Sequence, residues 1–149
     1  MEVLGATASV VAIVDLSVKV ASLLFQYSKD VRHAAADIER IKSETTNLKN
    51  AWDSVKELLA GPNGSRLAAL QKFAVALTDS RSRLEQLEQT LDPGARRSAL
   101  RKVGVRLKWP LDKKDVEKTV QDLAGCTQKI SLGLLLDQTY ASPSLNLWI

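Results

Sequence analysis

Cysteine and histidine are almost missing from this 149-residue chain, which has one of each, Cys126 and His33. A lone cysteine excludes an internal disulfide framework, and the pair cannot make a Cys/His zinc site. Aromatic residues make up only 5%, with four prolines and seven glycines. So few β-favouring aromatics and so few chain breakers argue against a β architecture. No uncharged apolar run reaches the roughly 20 residues of a spanning helix. The longest, Val3 to Val14, is stopped by Asp15 and then by Lys19. Glu2 stands where a signal peptide carries basic residues, and periodic sequence follows in place of a cleavage zone, so secretion is not expected.

Catalytic signatures are equally scarce. A Ser, Thr or Cys nucleophile needs a base beside it, and His33 sits among alanines at the start of a helical pattern. Gly61-Pro62-Asn63-Gly64 lacks the Lys-Ser or Lys-Thr that completes a P-loop. Glu85 and Glu88 lie at helical spacing among basic residues, which reads as a solvated face, and Cys126 reads as a small buried side chain. The expectation is a non-enzymatic chain without metal or cofactor.

What the chain has is helical periodicity, in a composition of 45% hydrophobic and 26% charged residues that suits one soluble domain. From Asp30 to Ala60, the residues Val31, Ala34, Ile38, Ile41, Thr45, Leu48, Trp52, Val55 and Leu59 recur three and four apart, predicting one amphipathic helix. Gly61-Pro62-Asn63-Gly64 predicts its end. Arg66 to Leu91 repeats the pattern with Leu70, Phe73, Leu77, Ser80, Leu84, Leu87 and Leu91, before Asp92-Pro93-Gly94. Lys113 to about Gln138 repeats it with Val116, Val120, Leu123, Thr127, Ile130 and Leu134, and Asp112 is the expected N-cap. Ala95 to Leu111 predicts a shorter basic helix ahead of Pro110.

Glu2 to Ser28 differs, being apolar most of the way round, which predicts a helix surrounded on all sides at the centre of a bundle. Short connections between long helices favour an all-α, antiparallel four- to five-helix bundle with an apolar N-terminal helix, spanning residues 1–140 and followed by a short tail, 141–149.

Charge is uneven. Arg96, Arg97, Arg101, Lys102, Arg106, Lys108, Lys113 and Lys114, offset only by Asp112, give residues 96–114 a charge of +7, so the rest of the chain carries −3 of the +4 total. Leu100, Val103, Leu107 and Leu111 share one side of this segment, with Trp109 near its end. Such a basic amphipathic helix suits anionic lipid, at about 1 kcal/mol per basic residue near the headgroups. A solvated outer face is the plainer reading. Nucleic acid is not favoured, because no DNA- or RNA-binding motif accompanies the charge.

The first helix also suits a membrane, with Val3, Leu4, Gly5, Val10, Val11, Ile13 and Val14 as the inserting residues. Asp15 and Lys19 would each cost about 2.5–3.5 kcal/mol at mid-bilayer. Insertion is therefore expected only with self-assembly, which shields the charges and leaves Asp15 lining a pore. Packing of the helix as ordinary core is the competing reading.

Met1-Glu2-Val3-Leu4-Gly5-Ala6 and Ala8-Ser9-Val10-Val11-Ala12-Ile13-Val14 resemble the start of the HeLo-like domains of filamentous fungi. So do Asp37-Ile38-Glu39-Arg40, Leu58-Leu59-Ala60-Gly61-Pro62-Asn63-Gly64, Leu107-Lys108-Trp109-Pro110 and Asp137-Gln138-Thr139. The resemblance covers about residues 1–140. These domains stand at the N-terminus of STAND proteins, ahead of NACHT and repeat regions that this sequence does not contain. The resemblance implies a bundle similar to the HeLo domain of heterokaryon-incompatibility proteins and to the mixed lineage kinase domain-like necroptosis executioner. It further implies programmed cell death or immune-type signalling. The protein would be cytoplasmic at rest and, on activation by an upstream NACHT/STAND or amyloid-signalling protein, would oligomerise at the plasma membrane. Its rival is a pure interaction module of a STAND receptor, without lipid contact.

Overall fold

A computed structural model describes the backbone of residues 2–60, 63–92 and 108–141, and the side chains of residues 8–60, 73–92 and 108–135. All regular structure among them is helical: α1 (Glu2–Asp30), α2 (Ala35–Leu59), α3 (Asn63–Leu91) and α4 (Lys113–Ala141).

The three-and-four stripes of α2, α3 and α4 become the core. All nine stripe residues from Val31 to Leu59 are buried, as are Phe73, Ser80, Leu84, Leu87 and Leu91, and Val116, Leu123 and Ile130. At the start of α4 the Asp112 carboxylate accepts a 2.7 Å hydrogen bond from the Asp115 amide, so the expected N-cap is formed.

Long-range contacts fix the directions. The ends of α1 and α3 meet where Tyr27 Oη donates to the Leu91 carbonyl (2.7 Å). The starts of α2 and α4 meet where Arg40 pairs with Glu117 (2.7 Å). Arg83–Asp122 and Lys129–Asp79 run antiparallel along α3 and α4. The result is an up-down-up-down four-helix bundle. Its side-by-side pairs are α1–α2, α1–α3, α2–α4 and α3–α4; α2 and α3, though joined by the shortest link, touch less than any of these.

Four expectations need correction. The break between α1 and α2 falls at residues 31–34, inside the periodic run, because Val31 and Ala34 are buried in the turn and happen to continue the spacing. The third helix begins at Asn63, three residues before Arg66. α1 is an outer helix packed on α2 and α3, with α4 across the bundle from it, and is not the central one. The basic helix expected to reach Leu111 does not, since residues 108–112 are non-helical; residues 93–107 lie outside the described residues.

Near the middle of each helix the core carries one small polar or thiol side chain: Ser17, Thr45, Ser80 and Cys126. Ser17 and Thr45 donate to the carbonyls one turn earlier, of Ile13 (2.9 Å) and Ile41 (2.8 Å). Ser80 Oγ is buried without a hydrogen bond of good geometry among the described residues. It nevertheless lies close enough to the Cys126 thiol to oppose part of the rise in pKa that burial imposes there.

Candidate functional site

The candidate site is α1 itself, because its sequence places two seams on one rod. Val10, Ile13, Ser17, Val20, Leu24 and Tyr27 recur three and four apart, and all are buried against α2 and α3. On the opposite side, Ala8, Val11, Asp15, Val18, Ser22, Phe25 and Lys29 recur with the same alternation, and every one is exposed except the half-buried Val11. Val18 and Phe25 each retain 50% of their accessible surface. This double pattern is why the sequence is apolar most of the way round without the helix being enclosed.

The expected inserting residues divide accordingly. Val10 and Ile13 face the core, Val11 and Val14 are half-buried, and Asp15 is exposed. Val3, Leu4 and Gly5 lie within α1, but their side chains are outside the described residues. Although no uncharged run is long enough, Ala8–Asp30 taken together is long and apolar enough to cross a membrane, and only 33% of its most apolar stretch is buried. Core helices and signal sequences meet the same criterion.

Charges flank this rod. Lys19 pairs with Glu88 at 3.5 Å, while none of the ion pairs among the described residues includes Asp15. The Phe25 ring carries two ammonium groups, Lys29 Nζ at 4.7 Å and Lys42 Nζ at 5.9 Å from its centroid. This cation-bearing ring was not visible from sequence, since Lys42 belongs to α2.

Of the basic strip, Lys108, Lys113 and Lys114 are exposed, while Arg96, Arg97, Arg101, Lys102 and Arg106 lie outside the described residues. Trp109 lies in the non-helical 108–112 segment. It packs edge-on against Tyr27, with ring centroids 5.5 Å apart, and its indole nitrogen is buried without a partner among the described residues. Pro110 and Leu111 then form one wall of a groove of about 260 Å³ between the end of α3 and the start of α4, where Arg83, Lys118, Asp115 and Asp122 mix both signs of charge.

Chemistry-bearing groups are not gathered elsewhere. No cluster of three or more His, Cys, Asp or Glu occurs among the described residues. His33 is exposed in the α1–α2 link, and Cys126 is buried, its thiol pushed up chiefly by desolvation. Compared with known proteins, the chain matches no family model, no curated protein and no solved structure.

Proposed function

We propose that this chain is a membrane-active signalling bundle of the HeLo-like kind, cytoplasmic at rest, which self-assembles and delivers α1 to the plasma membrane in programmed cell death or immune-type signalling. The observation that carries this reading is the placement of α1: a helix on one side of the bundle, apolar enough to span a bilayer, with Val18 and Phe25 half-exposed on its outer face. The packing of α4 on α2 and α3 does not involve α1.

Energetics set the condition for release. Val10, Ile13, Val20, Leu23 and Leu24 are buried, and at about 1.5–3 kcal/mol each they hold α1 with about 8–15 kcal/mol. Asp15 and Lys19 add about 5–7 kcal/mol against a bilayer centre. A lone monomer therefore keeps α1 docked, and insertion has to be coupled to assembly, in which Asp15 faces water. Arg96, Arg97, Arg101, Lys102, Arg106, Lys108, Lys113 and Lys114 supply attraction to anionic headgroups.

Vesicle leakage tests the reading. The forced oligomer should release dye from anionic vesicles more than from neutral ones, and reversing Arg101, Lys102 and Arg106 to Glu should weaken binding. An oligomer that leaves both vesicle types intact overturns it. The interaction-module reading then takes its place, favoured by Val75 and Leu132, which are 68% and 54% exposed at the same end of the α3–α4 pair.

A further inference from the structure

We infer that the outer face of α1 is a homodimer seam, covered in lipid-free solution by α1 of a second copy running antiparallel across a two-fold axis. The inference rests on the exposed face of α1 and not on the lipid reading.

Ala8, Val11, Asp15, Val18, Ser22, Phe25 and Lys29 alternate by three and four without a break, the spacing by which two helices interlock along a seam. The seam runs from Ala8 to Lys29, about 32 Å, and presents Val18 and Phe25 half-exposed to water.

Direction follows from size and charge. In a parallel pair Asp15 would face Asp15, Lys29 would face Lys29, and Phe25 would crowd Phe25. Like charges opposed in a seam are unfavourable. In the antiparallel pair the facing positions are Ala8 with Phe25, Val11 with Ser22, and Asp15 with Val18. Phe25 then meets Ala8, and Val11 meets Ser22. At the centre Asp15 lies one residue from the other copy's Lys19, which supplies the opposite charge. Asp15 has no ion pair within its own chain among the described residues, and Lys19, 55% exposed, is reachable beside Glu88. The second copy is thus the occupant that sets small side chains against Phe25 and Val11 and brings an opposite charge beside Asp15.

Light scattering on the lipid-free protein should give twice the 16.3 kDa chain mass at high micromolar concentration. Val18→Glu should weaken the dimer by roughly tenfold or more, through two symmetry-related carboxylates, each set against Asp15 of the other copy, with helicity unchanged. Ser22→Glu is the second variant, at an equally exposed position. Orientation is read in a Cys126→Ser background. A mixture of Val11→Cys and Ser22→Cys chains should form a disulfide between the two, and neither alone should, because like positions lie about 16 Å apart along the axis. A wild-type monomer, dimers that survive both glutamates, or Val11→Cys chains linking to themselves would each overturn the seam. Absence of vesicle leakage would leave it standing.

Discussion

Tyr27 ties the end of α1 to the end of α3, its hydroxyl donating 2.7 Å to the Leu91 carbonyl while its ring meets Trp109 edge-on at 5.5 Å. This buried contact joins the outer helix, α3 and the 108–112 segment at one end of the bundle. Tyr27→Phe keeps the ring and removes the donor, leaving the Leu91 carbonyl buried and short of a partner. The expected loss is about 1–3 kcal/mol in urea unfolding, with faster hydrogen exchange in the last turns of α1. Unchanged stability would show that the bond contributes nothing net.

Gly133 is a close approach between α3 and α4. A Cβ there would fall within contact distance of Phe73 Cε1, whose ring in turn packs edge-on against Trp52 at 6.4 Å. Gly133→Ala should cost about 1–3 kcal/mol by overpacking, despite alanine's better helix propensity. Adding Phe73→Leu should recover part of that loss. A stabilised single mutant would mean the ring moves aside freely.

Cys126 is the chain's one thiol and reports on the α3–α4 contact. Burial raises its pKa above the ordinary value, so the folded state favours the protonated form. The stability this contributes is complete below the unfolded thiol pKa, about 8.5, and is lost as pH rises through the higher folded value. Folded protein should react slowly with a thiol reagent at neutral pH, and Cys126→Ala should flatten the alkaline fall in stability. Rapid modification at the unfolded rate would contradict the burial.

Arg40 and Glu117 bridge the starts of α2 and α4 at 2.7 Å. The guanidinium hydrogen bond and charge hold the Glu117 carboxyl below its ordinary range. Its contribution is therefore present above the ordinary carboxylate pKa and lost as pH falls through the lower folded value. Both side chains are about half exposed, so the effect is small and salt-sensitive. Arg40→Ala should remove this acid-dependent component at low salt and change little at high salt. A wild-type acid profile in that variant would remove the pair from the account.

The helices of this fold were legible where one apolar stripe met one core. Ile38, Ile41, Leu48, Trp52 and Leu59 on α2, and Leu84, Leu87 and Leu91 on α3, lie buried as their spacing requires. α1 was harder to read because two seams on one helix add up to a uniformly apolar sequence, and hydrophobicity alone does not distinguish a surrounded helix from a two-faced one. Trp109 was hard to read for a different reason. A tryptophan beside basic residues satisfies the pattern of an interfacial anchor, and only the tertiary contact with Tyr27 shows it turned inward. Phe25 meets Lys42 through the packing of α1 on α2, which no local spacing encodes.

Hydrogen exchange along residues 8–30, on the soluble protein and on the same protein assembled on anionic vesicles, tests the central claim most directly. At rest, the amides of α1 should be protected together with those of α2 and α3. On vesicles, α1 should change its protection as a unit while α2, α3 and α4 keep theirs. An exchange pattern in α1 identical in the two states, on vesicles that are leaking, would contradict a helix held at rest and delivered to the bilayer.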